Sequence, residues 1–542
     1  MTEIYDAIIV GGGIAGMTSA AYIAKHGARV LLLEKNEKCG GLINSFWRDG
    51  FLFDGGVRAL ESAGIILPML RELGIEIERV KSPVSVGIED SVIRVTSKES
   101  LKEYSDLLRK MYPGSEDEIE RVVSFIKRIM KDMEILYGVD NPLFMDFKNN
   151  KSYFVKVYLP WLFKFIFTLR RIGKFRMPVE EFLEEIFQDS SLRDIIDQHF
   201  FKNTPTFFAM SYFYLYQDYF YPKGGVGTMA ERVREKIVQF GGEIETGREV
   251  TEIHAGKKVI VDSNGRSNKY RKLVWAADLK RLYSIVKTDG LHETATETVN
   301  AFRSEISKKR GTDSIFSVFI GVDEAPEKFE AISSGHFFYT PSKKGLGETH
   351  RSEMKSVLEN WSVNSKEEVL SWLDRFCKLS TYEISIPVLK DRDLAPQGKT
   401  GLIVSTLFEY DIVKKAYESG WYGELKEELE KRIIEVLSNS IYPILKDRIL
   451  FSFSSSPLSI ESYSGSSEGS IVGWSFEEPI PVVASMMKVN SSVKTKIPDV
   501  LQAGQWAYSP AGVPISILTG KLAADFVIKN LNMDRSGRQR EL

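Results

Sequence analysis

The feature that most constrains this chain lies at its start, the turn Val10-Gly11-Gly12-Gly13-Ile14-Ala15-Gly16. It follows an apolar run, Ala7 to Val10, and opens a helical stretch, Met17 to Lys25. A second apolar run, Arg29 to Leu33, then ends in Glu34. Strand, tight glycine turn, helix, strand and acid in this order predict one dinucleotide-binding βαβ unit. Gly11 permits the sharp exit from the strand, Gly13 lets backbone approach a pyrophosphate, and Gly16 lets the helix pack on the sheet. The helix start, with Ile14 and Ala15 in its first turn, offers free N–H groups and the positive end of its dipole to phosphates. Glu34 stands where a carboxylate accepts hydrogen bonds from a ribose diol.

Glu34-Lys35 is followed by Cys39-Gly40-Gly41-Leu42, then by Asp49-Gly50-Phe51-Leu52-Phe53-Asp54-Gly55-Gly56. This run resembles the extended FAD signature of the phytoene desaturase, carotene isomerase and retinol saturase family of FAD-dependent oxidoreductases. The resemblance implies that Gly40-Gly41 runs beside the phosphates toward the flavin, where a side chain would clash. It adds Lys35 and Leu42 to the cofactor contacts. Three later clusters follow the family's order: Gly241 to Ile244 with the strand from Glu249 and the segment Val274 to Asp278; Ser456 to Gly465 with Gly469 to Trp474; and Ala503-Gly504-Gln505-Trp506 with Pro510-Ala511-Gly512-Val513-Pro514. The resemblance implies that Val250 lies beside the adenine and that Ala277 ends a strand at the cofactor. It also places Gly504, Gln505, Gly512, Val513 and Pro514 near the pyrimidine end of the flavin. Backbone N–H groups there stabilise the negative charge of the reduced ring. Two departures stand out: Ser462 replaces an arginine common in the family, and Ala511 replaces a glycine.

The expected fold is α/β, with a Rossmann-type FAD-binding domain, glutathione reductase-like or amine oxidase-like, and an inserted α+β substrate domain. Residues 1–65, 220–290 and 480–533 are expected to form the discontinuous FAD domain, residues 66–219 and 291–479 the substrate domain, and 534–542 a solvated tail. Gly64 to Leu73 has helical spacing with Gly74 as C-cap, and Ser115-Glu116-Asp117-Glu118 reads as a capping box before a long helix. The region to about residue 219 lacks the alternation of a Rossmann sheet and reads as helical. Strands are expected at 249–254, 258–262, 272–277, 315–322 and 402–408, with an Asn264-Gly265 hairpin turn.

A chain of 542 residues holds more than one compact unit, and a net charge of −2 gives no field that favours nucleic acid. Two cysteines, Cys39 and Cys377, fit a reducing compartment rather than a disulfide scaffold. The six histidines show no metal-ligand spacing. Glu3 and Asp6 make the start unlike a secretory signal, and no run reaches the roughly 18 apolar residues of a membrane span. The localisation expected is cytoplasmic, with peripheral membrane association. Lys151 to Arg176 carries seven basic residues, no acid and many aromatics. At 100° per residue, Lys156, Lys164, Arg170, Arg171 and Lys174 share one face and Phe154, Trp161, Phe165, Leu169 and Ile172 the other, while Phe163 and Phe167 break the pattern. This pattern fits an interfacial membrane helix, or a helix packed on the domain with solvated lysines. Residues 200–221 hold eleven aromatics, which suits either a wall for a long apolar substrate or plain core.

The resemblance implies an FAD-dependent oxidoreductase acting on carbon–carbon bonds of a carotenoid or isoprenoid-type lipid, by desaturation, saturation or isomerisation. Arg58 and Glu61 follow the Asp54-Gly55-Gly56 turn and are the candidate catalytic residues; an ion pair at the domain boundary is the other reading of the two. A soluble amine oxidase-like flavoenzyme, or a non-catalytic flavin- and lipid-binding protein, would share the same motifs.

Overall fold

Apolar runs from the two ends and the middle of the chain meet in one sheet. The computed structural model describes residues 4–145, 151–362 and 364–540. Glu3 and residues 541–542 lie outside that range. Strand Ile4–Val10 is fully sandwiched, parallel to Val30–Leu33 on one side and to Ser267–Trp275 on the other. Glu243–Glu245 extends the sheet beyond Val30–Leu33. The far edge of Ser267–Trp275 is shared: its first half pairs antiparallel with Val259–Asp262 and its second half pairs parallel with Val500–Gln502. Both faces of the parallel strands are covered, which explains their continuous apolar sequences.

Helix Ile14–Lys25 packs on this sheet and against the last helix, Val513–Arg540. The backbone of that last helix continues into the segment expected as a tail. The strands expected at 249–254, 258–262, 272–277, 315–322 and 402–408 are all present within a few residues, the third longer at its start.

A second, seven-stranded sheet carries the other half of the molecule. Its order is Ile449–Ser455, Ser314–Val322, Thr400–Phe408, Tyr382–Ser385, His336–Thr340, Val84–Ile88 and Ser91–Val95. The last two strands correct the reading of 66–219 as helical. Val84–Ile88 is buried along its whole length, so it lacks the polar alternation that marks a half-exposed strand. The 115–118 capping box is also corrected. Helix Glu116–Tyr137 starts there, but the Ser115 side chain makes no cap; Glu116 accepts from the Gly114 N–H at 3.1 Å instead. Gly74 does cap helix Ile66–Leu73, in the left-handed region at φ 65°.

The two sheets are locked together by the Phe51 to Asp54 motif. Phe51 and Phe53 are buried against Phe319, Phe451 and Ile403 of the second sheet. Asp54 has no exposure; it accepts from Tyr221 Oη at 2.6 Å, Ser45 Oγ at 2.7 Å and the Val226 N–H at 3.1 Å. The motif therefore ties the first segment of the chain to the one that re-enters at Tyr221.

Candidate active site

One cavity of about 710 Å³ runs between the two sheets. Gly11, Gly13, Ile14 and Ala15 line it, together with Glu34, Lys35, Gly40, Gly41, Leu42, Val250 and Ala277. So do Gly504, Gln505, Gly512, Val513 and Pro514 from the other end of the chain, and Arg58 and Glu61. Gly16 does not line it. A Cβ there would lie 1.9 Å from the Gly11 carbonyl, so its task is helix-to-strand packing. Ala511, in place of a glycine, is buried on the same wall.

The cradle is open where a phosphate group would need it. A Cβ built on Gly13 meets no atom within 4 Å. Helix Ile14–Lys25 has no side-chain cap and no acid in its first turn, so its leading N–H groups remain available to an anion. Glu34 Oε2 accepts from the Gly12 N–H at 2.6 Å and Oε1 accepts from the Asn36 N–H at 2.9 Å. A carboxylate has about four acceptor positions, so two remain for a diol. Lys35 lines the cavity, and its Nζ donates to the Ser462 carbonyl at 2.7 Å, tethering helix Pro457–Ser464 beside Glu34. The Ser462 backbone, not its side chain, takes part there.

Arg58 and Glu61 do not pair with each other. Arg58 is buried, donates to the Asp54 carbonyl, and reaches Ser405 Oγ at 3.2 Å; its Nε has no partner. Ser405 in turn bonds Ser317 Oγ at 2.8 Å. Lys390 Nζ donates to the Arg58 carbonyl at 2.8 Å and to Ser385 Oγ at 2.9 Å, and burial lowers its pKa to about 8. Burial raises the Glu61 carboxyl to about 7. Glu61 also lies close to the C-terminal turn, 3.9 Å from a Cβ built on Gly512.

Part of the cavity wall is aromatic. Phe201, Phe207, Phe208, Tyr212, Tyr219 and Phe338 line it. Phe213 and Tyr216 from the same aromatic-rich segment sit in the neighbouring core, so residues 200–221 supply both wall and core. The helical run 151–172, with a π turn at Phe154–Tyr158 just before Pro160, closes one side. The proline lacks an N–H, and the wider turn accommodates its ring. Its Phe165, Leu169 and Ile172 face the cavity, and Trp161 Nε1 donates to the Ile135 carbonyl at 2.5 Å. Arg171 departs from the expected basic face: it pairs with the buried Asp132. Phe163 and Phe167, which broke the helical pattern, are each 65% exposed.

The sequence missed three features of the site. His336, Glu383 and Ser405 line the cavity from the second sheet. They carry no local motif, and only the strand register brings them together.

An open glycine cradle, a free helix N-terminus, a ribose acid and a second helix start at Val513 in one cavity fit an FAD. Together with the two-sheet fold they define a flavin-dependent oxidoreductase. A family profile described as flavin containing amine oxidoreductase matches residues 14–528, and the chain belongs to that family. It is similar to an all-trans-retinol 13,14-reductase of Danio rerio, at 23% identity over 98% of this chain and 87% of the relative. It is also similar to a 4,4'-diapophytoene desaturase (4,4'-diaponeurosporene-forming) of Staphylococcus aureus, at 22% identity over 96% of this chain and 98% of the relative. Among solved structures, wild-type putrescine oxidase bound to putrescine shares the fold with a TM-score of 0.58 at 13% identity, covering 98% of this chain and 100% of that one.

Proposed function

We propose that this flavoenzyme adds, removes or rearranges hydrogen across carbon–carbon bonds of a polyene or isoprenoid lipid that it collects at a membrane surface. The observation that carries the reading is the make-up of the cavity. It is walled in part by Phe201, Phe207, Phe208, Tyr212 and Phe338, together with Phe165, Leu169 and Ile172 of the helix that exposes Phe163 and Phe167. A long apolar chain buries well against such a wall. The two enzymes named above, a retinol reductase and a diapophytoene desaturase, give the same class of substrate.

Bound FAD supplies hydride exchange with a substrate carbon. The protein's share is geometry and environment. Gly11 to Ala15, Glu34 and the Gly40-Gly41 pair would hold the nucleotide half, and Gly504 to Gln505 and Gly512 to Pro514 the ring end. The aromatic wall orients the chain and excludes water. Arg58, held by Asp54 and Ser405, presents fixed positive charge to the cavity. Glu61, with its raised pKa, can hold or release a proton near neutral pH.

An amine oxidase needs a site that welcomes a cation. The buried Arg58 guanidinium on the cavity wall disfavours a substrate cation beside it. Among the described residues, no helix is long and apolar enough to cross a membrane, which suits a peripheral attachment. The test is to purify the protein with its bound lipids and identify them by mass spectrometry, then to assay Arg58→Ala and Glu61→Gln. Polyene or isoprenoid cargo is expected, and both variants should lose turnover while keeping flavin. Normal turnover with normal flavin content in both would remove the two residues from the chemistry. A cavity that co-purifies only with amines would overturn the reading.

A further inference from the structure

The wall contributed by the second sheet carries a polar pair that the proposed function leaves unused. Strands His336–Thr340 and Tyr382–Ser385 pair with Phe338 opposite Glu383, which puts His336 and Glu383 diagonally on one face. His336 Nε2 and Glu383 Oε1 are 2.9 Å apart, and both residues line the cavity. The Tyr219 ring stacks on the imidazole with centroids 5.6 Å apart and planes at 16°, and Phe338 lies 5.2 Å from it. His336 Nδ1 is buried and has no hydrogen-bond partner. A buried nitrogen without a partner is unfavourable unless a ligand or a reacting group meets it.

The electrostatics fix which nitrogen holds the proton. Burial raises Glu383, but the hydrogen bond from His336 and the positive charges of Arg58 and Lys390 oppose it, and the carboxyl sits below its ordinary value. Burial lowers His336 despite Glu383, so the ring is neutral at pH 7. A carboxylate at Nε2 selects the Nε2–H tautomer and leaves a lone pair on Nδ1. The charged and titratable groups around the ring are Glu383, Arg58 and Lys390, with Tyr219 against its face, Glu61 paired beside Tyr219, and His199 beyond Phe338.

Building on the polyene reading, we propose that His336, positioned by Glu383, is the residue that exchanges a proton with a substrate carbon. In the oxidative direction one C–H bond breaks and its proton passes to Nδ1. The electron pair left behind forms the new carbon–carbon π bond as the neighbouring carbon gives hydride to the flavin, the two-electron oxidant. In the reductive direction Nδ1 first takes a proton from water, hydride from reduced flavin reaches one carbon, and the Nδ1 proton reaches its neighbour. His336 is the catalytic residue and Glu383 the positioning residue, in the manner of a carboxylate that orients a general base.

The test uses FAD-loaded protein in two arms. Nitrogen-15 NMR of labelled histidines should show His336 protonated at Nε2 and bare at Nδ1 at neutral pH, with that preference lost in Glu383→Gln. A proton found on Nδ1 of the wild type overturns the proposal. In the second arm, protein reduced with dithionite is mixed anaerobically in D₂O with all-trans-retinol, and oxidised protein with 4,4'-diapophytoene, the compounds named in the relatives. Flavin turnover in His336→Gln should fall about 100-fold or more, with FAD content and dithionite reduction unchanged. Glu383→Gln should lose less and shift the pH profile. A His336→Gln protein as fast as an active wild type sinks the proton role alone. A wild type inert toward both compounds sinks the polyene reading and the proton role with it.

Discussion

Gly504 faces Ala15 closely: a Cβ built on Gly504, whose φ is 95°, would lie 3.4 Å from Ala15 Cβ. The contact sets the first turn of the first helix against the strand end that precedes the last helix. Gly520 tightens it, because a Cβ there would meet the Ala15 carbonyl at 2.4 Å, and Ser19 Oγ donates to the Gly520 carbonyl at 2.8 Å. This close approach puts the phosphate cradle and the C-terminal turn on one cavity.

Two glycines of the opening turn should fail in different ways. Gly13 has φ −69° and open space around it, so Gly13→Ala should fold normally. Its methyl group would enter the cradle, and FAD affinity should fall at least tenfold, about 1.4 kcal/mol. Gly16→Ala would drive a methyl group into the Gly11 carbonyl and should destabilise the fold by about 1–3 kcal/mol. Urea melts and flavin titrations of the two variants separate the effects.

Glu34 holds the turn as well as facing the ribose end. Glu34→Ala would leave the Gly12 N–H without its 2.6 Å acceptor. A loss of about 1–3 kcal/mol is expected even without FAD. Glu34→Gln keeps one acceptor, for Gly12 or Asn36 but not both, and should recover only part of that loss while binding FAD more weakly. Equal stability of Glu34→Ala and wild type would show that the carboxylate serves the ligand alone.

Glu61 makes stability depend on pH in a defined direction. Its folded pKa, about 7, lies above the ordinary 4.5, so the native state holds the proton more tightly than the unfolded chain. Stability from this group is full below about pH 4.5, declines as pH rises, and is spent above about pH 7. The full shift corresponds to roughly 3 kcal/mol, less where cavity water screens the charge. Glu61→Gln should therefore gain stability over wild type at pH 8 and not at pH 4.5, read by denaturant melts at both values.

Membrane attachment should depend on two phenylalanines. Phe163 and Phe167 are each 65% exposed beside Lys164 and Arg170. Burying both rings in an interface is worth roughly 1.5–3 kcal/mol each at most, so Phe163→Ser with Phe167→Ser should cut vesicle binding by tenfold or more. Flotation with vesicles containing anionic lipid measures it, with FAD content as the control. Undiminished binding would move the contact elsewhere.

The cofactor half was legible because its parts are local. The turn from Val10 to Gly16, the acid at Glu34 and the Gly40-Gly41 pair each owe their form to backbone constraints that a few adjacent residues declare. The C-terminal turn was legible by resemblance. Ala503 to Trp506 and Pro510 to Pro514 say nothing by themselves about which strand they meet. The polar wall was not legible at all. His336, Glu383 and Ser405 come together only through the register of three strands, and no short pattern encodes register between distant segments. Val84–Ile88 escaped for a related reason: a strand buried on both faces reads as an undifferentiated apolar run. Phe163 and Phe167 were visible as exceptions to helical amphipathicity, and the structure gives the exception a cause, since that side of the helix faces outward.

The most direct test of the account follows the flavin itself. FAD-loaded protein is mixed without oxygen with polyenes and, separately, with amines such as putrescine, and the flavin absorbance is followed. The account predicts that a polyene changes the redox state of the flavin, by bleaching the oxidised form or restoring the reduced one, and that amines leave it unchanged. Bleaching by putrescine, with every polyene inert toward both forms, would contradict it.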